Sequence, residues 1–385
     1  MDTQPFVSVI CEYNPFHYGH EYQIQQLKKE FDKVVCIMSG NVVQRGTFAV
    51  SDKYIRATAA LNCGADLVLE LPLPYCCASA SDFARAGVFI AEAIGSDYLA
   101  FGAEDDIETL MKIRETASKK EFSEAVSRII AENKNISYPN AFSSAISEFL
   151  GEEYAKAVKK PNNILANEYI SSLSGRKTKP FAVRREQGFS SSSAIRATND
   201  GEKMLSLIPE KSREVFESVY LSDFPRDMSK LDSFFIGTLR NIAHEGKVPQ
   251  NIYSSPEGLI QKILSACVKV SSFDALVAAC TDKIYTSARV RRAVIALVFG
   301  ITTDRMKQDP CYTQVLAANG KGREILKAVK NEKSIDIITK PVHALSLGNM
   351  TKEAFLFSKK IEDVVSLSSP VPTPSDEGKT PAITK

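Results

Sequence analysis

The sequence is poor in the features that mark several protein classes. Tryptophan is absent, and histidine occurs four times in 385 residues. The eight cysteines include no Cys-x-x-Cys pair. That excludes a zinc ribbon or a disulfide scaffold and leaves reduced, mostly buried thiols as the expectation. A membrane-spanning helix needs ~20 apolar residues, and the stretch Ala293 to Ile301 is far shorter. Met1-Asp2-Thr3-Gln4-Pro5 carries no basic segment followed by an apolar one, so no leader is expected and a cytoplasmic location is. Neither a Walker A loop nor a Gly-x-Gly-x-x-Gly fingerprint is present, which excludes P-loop and ordinary dinucleotide readings. What is there is globular: 44% hydrophobic and 24% charged residues, in a chain long enough for two or three domains. The net charge of +2 hides an asymmetry. Residues 1–120 hold 11 Lys/Arg against 16 Asp/Glu, and residues 283–330 hold 10 against 3.

The first hundred residues alternate between short apolar runs and helical spacing. Strands are predicted at Phe6 to Cys11, Lys33 to Ser39, Ala65 to Leu71 and Asp97 to Gly102. Helices are predicted at Gly19 to Phe31, Asp52 to Asn62 and Ser81 to Ile94. This alternation implies an α/β fold with a parallel sheet covered on both faces. Residues 104–173 read as helical with breaks at Tyr138-Pro139 and Lys160-Pro161, and Pro180 to Glu186 returns as a fifth strand. Beyond residue 200 the strand signal fades. Ser229 to His244, Pro256 to Val270, Phe273 to Ala279 and Ala288 to Phe299 predict a mainly helical C-terminal domain. The expected division is a 1–200 nucleotide-binding domain with a 104–175 helical insertion, a 201–365 helical basic domain, and a proline-rich flexible tail at 366–385.

Chemistry concentrates in Glu12-Tyr13-Asn14-Pro15-Phe16-His17-Tyr18-Gly19-His20. The segment leaves the first strand and opens the first helix, at the sheet edge where α/β proteins bind ligands. A first helical turn offers free N–H groups to phosphate, and Gly19 lets an anion approach the backbone. His17 and His20, three apart, point to one side of the turn. There they can stabilise charge on a triphosphate as pyrophosphate leaves. A lone His-x-x-His is common by chance, but two of the chain's four histidines sit in this one turn. A second anion cradle is read in Ser190-Ser191-Ser192-Ser193-Ala194-Ile195-Arg196, where hydroxyls, helix-start N–H groups and Arg196 follow the fifth strand. Farther on, Val290, Val294, Leu297 and Ile301 form an apolar helical stripe bordered by Arg289, Arg291 and Arg292. These arginines, with Lys321, Arg323, Lys327 and Lys330 downstream, are either a solvated face or a footprint for RNA phosphates. Asp227-Met228-Ser229-Lys230 reads as a helix start capped by Asp227 or Ser229 rather than a catalytic loop. No dedicated metal cage is expected.

The His17-Tyr18-Gly19-His20 signature and the Ser-rich run ending in Ile195-Arg196 resemble the nucleotidylyltransferase superfamily. More narrowly, the chain resembles the bacterial tRNA(Met) cytidine acetate ligase family over nearly its whole length. Glu12 to His20, Ser39 to Gly46, Ala65 to Pro72, Phe101 to Glu104, Pro161 to Leu165, Arg185 and Thr286 to Gly300 carry that likeness. The resemblance implies a Rossmann-like sheet of the nucleotidylyltransferase type. It also implies that acetate is activated by ATP and passed to the exocyclic amine of the wobble cytidine of elongator tRNA(Met). ATP contacts implied by position are Ile10, Cys11, Glu12, Tyr13, Asn14, Pro15, Phe16, His17, Tyr18, Gly19, His20, Glu21, Tyr22 and Gln23, then Gly102, Asn162, Arg185, Ser192, Ser193 and Arg196. His17 and His20 would be catalytic, Arg289, Arg291 and Arg292 would contact tRNA, and Mg²⁺ would accompany the nucleotide. Neither a membrane nor DNA is an expected partner. Two other readings share these residues: a nucleotidylyltransferase making a cofactor from a small phosphorylated metabolite, and an RNA-binding protein with a relic nucleotide fold.

Overall fold

The computed structural model describes residues 5–133, 136–186, 188–329, 334–372 and 381–384. Its strands are β1 (Phe6–Cys11), β2 (Lys33–Ser39), β3 (Val42–Val43), β4 (Thr47–Phe48), β5 (Leu67–Leu71), β6 (Tyr98–Ala103), β7 (Lys179–Arg184), β8 (Tyr312–Ala318), β9 (Asp336–Ile338) and β10 (Ala382–Ile383). The main sheet runs β10-β8-β5-β2-β1-β6-β7, with β9 beside β8, and β3 and β4 form a separate hairpin. The path β5-β2-β1-β6-β7 is parallel throughout. Strands covered on both faces need apolar side chains at every position. Accordingly Val7, Val9, Val34, Cys36 and Met38 point to one core layer and Ile10 and Ile37 to the other.

Helices α1 (Tyr18–Glu30) and α2 (Lys53–Asn62) cover the first layer, through Ile24, Leu27, Tyr54, Ala57 and Ala60. Helix α3 (Ala80–Ala93) covers the second through Phe83, Val88 and Ile90. Between β6 and β7 the chain inserts α4 (Ile107–Ala117), α5 (Lys120–Glu132), α6 (Tyr138–Leu150), α7 (Glu152–Ala157) and α8 (Pro161–Leu173). Pro139 and Pro161 sit in the first turns of α6 and α8, where a missing N–H costs no intrahelical bond. Helices α4 to α7 gather around a small core of their own (Ile113, Phe122, Ala141, Ile146), whereas α8 brings Ala166, Tyr169 and Ile170 to the main core.

Short helices follow β7: α9 (Ser192–Arg196), α10 (Gly201–Ser206) and α11 (Glu210–Glu217). The helical region comprises α12 (Asp232–Glu245), α13 (Leu259–Cys267), α14 (Phe273–Cys280), α15 (Ser287–Phe299), α16 (Thr303–Lys307), α17 (Gly320–Val329) and α18 (Asn349–Ser366). Asp227 caps the short turn before α12 by accepting from Ser229 N–H at 2.9 Å, as its sequence suggests.

Two expectations need correction. The C-terminal part is helical but not separate from the sheet, because β8 crosses into it antiparallel to β5 and carries β9 and β10. Tyr312–Ala318 is buried at every position, so it shows no alternation to mark it as a strand. Nor is the stretch after 365 all tail. Ser368 and Ser369 are buried, Lys230 donates to Ser369 O at 2.7 Å, and Ala382–Ile383 pairs with β8. Residues 373–380 and 385 lie outside the described residues. Of the described cysteines none is paired, and all but Cys311 are buried.

Candidate functional site

A cleft of about 520 Å³ opens at the carboxyl ends of β1, β6 and β7. Its position follows from topology: β1 lies between β2 and β6, where the sheet's winding reverses direction. Fifteen of the expected nucleotide-contact residues line it: Ile10, Cys11, Glu12, Tyr13, His17, Gly19, His20, Tyr22, Gln23, Gly102, Asn162, Arg185, Ser192, Ser193 and Arg196. Asn14, Pro15, Phe16, Tyr18 and Glu21 are not among its lining residues. Asn14 instead accepts from Val50 N–H at 2.8 Å, and Phe16 is fully buried under the turn. These two residues shape the loop rather than face the cleft.

His17 is the N-cap of α1. Its Nδ1 accepts from Gly19 N–H at 3.1 Å, and His17 N–H donates to His20 Nδ1 at 3.3 Å. A capping box usually uses Ser or Thr with Glu or Gln; here two imidazoles replace them. The rings stack with centroids 3.7 Å apart, and Tyr13 and Phe16 flank His20 at 4.8 and 5.6 Å. Gly19 leaves room for this packing, since a Cβ there would lie 3.0 Å from His17 Cε1 and press on the ring.

Burial holds the His17 pKa down at about 4, with Arg185 and Arg196 adding to the effect. Burial, His17 and Arg185 lower that of His20 in the same direction. Both rings are therefore neutral near pH 7. A neutral imidazole that accepts at Nδ1 carries its proton on Nε2. The capping bonds thus fix both tautomers and leave two Nε2–H donors on residues lining the cleft. The pair thus presents oriented dipoles rather than cations.

The far lip is built by β6, β7, α8 and α9. Arg185 Nη1 donates to Asn162 Oδ1 at 2.7 Å, and Asn162 Nδ2 donates to Glu104 Oε1 at 2.6 Å. Asn162 therefore braces Arg185 rather than capping its helix. The Arg185 stem passes over Gly102 at the end of β6, where a Cβ would meet its Cγ at an ordinary contact distance of 3.4 Å. Ser191, not Ser192 or Ser193, caps α9, accepting from Ala194 N–H at 3.1 Å. Arg196 ties this lip to the first loop, donating to Asn14 O at 2.5 Å and to Ser193 Oγ at 3.3 Å. On this far lip Arg184, Arg185 and Arg196 outnumber the two lining carboxylates of the cleft, Glu12 and Glu186. The excess of positive charge, with N–H and O–H donors, suits a polyanion.

Sequence reasoning missed a buried brace between the ends of the first two strands. Arg56 is fully buried and donates to four carbonyls: Glu12 O (2.5 Å), Ser39 O (3.1 Å), Gly40 O (2.5 Å) and Ser51 O (3.1 Å). It locks the carboxyl ends of β1 and β2 together. An arginine in an alanine-rich helix normally reads as exposed, so nothing in the pattern marks it. Phe83 and Tyr169, also lining the cleft, read only as core.

The three expected RNA-contact arginines lie outside the cleft, on α15. Arg289 is exposed, while Arg291 and Arg292 are half-buried. Arg292 Nη1 donates to Gln44 O at 3.1 Å, joining α15 to the β3–β4 turn. The first downstream basic residue, Lys321, does not extend this surface. Lys321 pairs with Asp32, and Gly322 abuts Asp66 O. Asp32 and Asp66 precede β2 and β5, so the first turn of α17 sits at the opposite end of the sheet. Lys330 lies outside the described residues. Among the described residues no group of three or more His, Cys, Asp or Glu could hold a metal, and no helix is long and apolar enough to cross a membrane.

Comparison with known proteins places this geometry. Residues 5–378 match the family model described as HIGH Nucleotidyl Transferase. The tRNA(Met) cytidine acetate ligase of Clostridium perfringens is 32% identical over 365 residues, covering 86% of this chain and 89% of that protein. Its Clostridium novyi counterpart is 34% identical over 360 residues, with 86% and 89% covered. Thermotoga maritima TmcAL, in a crystal structure bound with alpha-thio ATP, superposes with a TM-score of 0.88 at 26% identity, covering 99% of each chain. With the HIGH-type turn, the sheet and the relatives in agreement, the chain belongs to the tRNA(Met) cytidine acetate ligase family of HIGH nucleotidyl transferases.

Proposed function

We propose that this protein is an ATP-dependent acetate ligase that forms acetyl-adenylate and transfers the acetyl group to the exocyclic amine of the wobble cytidine of elongator tRNA(Met), in the cytoplasm. The single observation that carries the reading is the neutral histidine pair, locked as Nε2–H donors at a cleft lined by Arg185, Arg196, Ser192 and Ser193. ATP binds there with its phosphates between the α1 turn and the α9 lip. An acetate oxygen attacks the α-phosphorus, and the bond to the bridging oxygen breaks to release pyrophosphate. His17 and His20 donate to the oxygens on which charge accumulates, and Arg185 and Arg196 offset the remaining charge. These donors are already oriented before reaction, so the rate gain comes from positioning and preorganised electrostatics. The cytidine amine then attacks the acetyl carbonyl, AMP departs, and the amine loses its proton. Bound Mg²⁺ would serve as the counter-ion of the nucleotide's phosphates.

The test is ATP–pyrophosphate exchange with and without acetate, followed by labelled acetate, ATP and total tRNA. Exchange that requires acetate, and label recovered in the wobble cytidine of elongator tRNA(Met), are expected. Exchange that requires a phosphomonoester instead would favour a cofactor-type nucleotidylyltransferase.

A further inference from the structure

The cleft has a second lip that the nucleotide chemistry leaves unused. The β3–β4 hairpin rises beside β2, across from the Arg185 and Arg196 side. Its turn is Gln44-Arg45-Gly46, and both residues beside Arg45 are tied down. Gln44 N–H donates to Glu12 Oε1 at 2.8 Å, and Gln44 O accepts from Arg292 at 3.1 Å. Gly46 donates to Val43 O at 2.9 Å and is buried against α15. A Cβ on Gly46 would sit 2.8 Å from Arg291 Cβ and from Arg292 N, and its φ of +72° also favours glycine. The turn is thus wedged between the first loop and the arginine helix.

Arg45 itself is exposed, lines the cleft, and makes no hydrogen bond or ion pair among the described residues. Its charge reaches across the mouth: after burial and the opposing pull of Glu12, repulsion from Arg45 lowers the pKa of Arg196. A fixed backbone carrying an unpaired guanidinium at a cationic mouth is a poor choice for stability and a good one for an incoming anion. The far lip supplies Arg185, Arg196 and the serine hydroxyls for the triphosphate. Arg45 instead continues, through Gly46, onto the helix bearing Arg291 and the exposed Arg289.

We propose that Arg45 is an acceptor-side residue: it grips a backbone phosphate of the RNA nucleotide whose amine is acylated, and so aligns that nucleotide with the activated acyl group. The proposal deepens the function given above and rests on it. A base in a loop can turn out of its stack, and a phosphate contact fixes its register without reading its identity.

The experiment compares the full-length wild type with Arg45→Gln and Arg45→Lys in two assays, acetate-dependent ATP–pyrophosphate exchange and acetyl transfer to tRNA(Met) over a salt series. For Arg45→Gln the expected result is wild-type exchange with transfer lowered ~10-fold at limiting tRNA and a log–log salt slope shallower by about 0.7, one phosphate contact on a single strand. Arg45→Lys should recover part of the transfer. Exchange and transfer falling together would assign Arg45 to the triphosphate and overturn the proposal, as would transfer that stays unchanged. A wild type without acetate-dependent exchange would overturn the underlying function together with this assignment. A matching thermal melt checks the fold, which an exposed side chain without contacts should not disturb.

Discussion

At the scale of single residues, His17 has two jobs that substitution can separate. It caps α1 through Nδ1 and, in the proposed reaction, donates through Nε2. His17→Ala removes both, so about 1 kcal/mol of helix-cap stability should go together with an exchange rate lower by about 100- to 1,000-fold. His17→Asn restores a capping oxygen. Urea unfolding should therefore recover toward wild type while exchange stays low; recovery of both would show that only the cap matters. The pH dependence has a definite sign. A histidine whose folded pKa lies near 4, below its unfolded value, contributes stability that is present above the unfolded pKa of about 6.5 and is lost as pH falls toward 4. The limb of the exchange profile due to His17 should accordingly fall near pH 4 rather than 6.5. The type of these two residues and their spacing were legible in the sequence. Their neutrality was not, because it depends on Tyr13, Phe16, Arg185 and Arg196 closing around them.

At the scale of elements, buried charge holds the sheet to its neighbours. Asp223, after α11, accepts from Ser51 Oγ (2.5 Å), Asp52 N–H (2.7 Å) and Arg226 Nη2 (2.6 Å), fixing the N-cap region of α2. Asp223→Ala removes one of the carboxylates that compensate buried Arg226, which keeps Asp52 at 3.2 Å, together with the acceptor for Ser51 Oγ. We expect a loss of roughly 2–3 kcal/mol in urea denaturation; a change below 1 kcal/mol would contradict the network's role. A second cluster ties α18 to the sheet, with Lys53 Nζ 2.5 Å from Glu362 and 2.9 Å from Glu70. Burial raises the Glu362 pKa to about 7, Lys53 opposing and Glu70 assisting. A carboxyl group raised on folding contributes stability fully present below its unfolded pKa and lost as pH rises through 7. Glu362→Gln should flatten that part of the stability profile. The periodic elements β1, α1, β2, α2 and α3 were legible because alternating runs and caps are local signals. Strand β8 was not, because its antiparallel partner β5 lies about 250 residues earlier and leaves no local signature. Arg56 and Lys53 escaped notice for a related reason: only tertiary partners make a buried cation tolerable.

At the scale of the whole molecule, charge is arranged by position along the sheet and not by position in the sequence. The basic stretch at 283–330 divides, with α15 meeting the hairpin beside the cleft and α17 beginning at the amino ends of the strands. Arg289→Glu should therefore weaken acetyl transfer to tRNA several-fold, whereas Lys327→Glu on α17 should change it less than about twofold. Equal losses would place RNA on both ends of the sheet. ATP–pyrophosphate exchange should be insensitive to either change, because neither residue belongs to the α1 turn or the α9 lip. All of this depends on where the triphosphate sits. The most direct measurement is a crystal structure of this protein with a non-hydrolysable ATP analogue. Phosphate oxygens are expected within hydrogen-bonding distance of His17 Nε2 and His20 Nε2, with Arg196 on the opposite side. Phosphates lodged elsewhere, with both imidazoles facing only water, would contradict it.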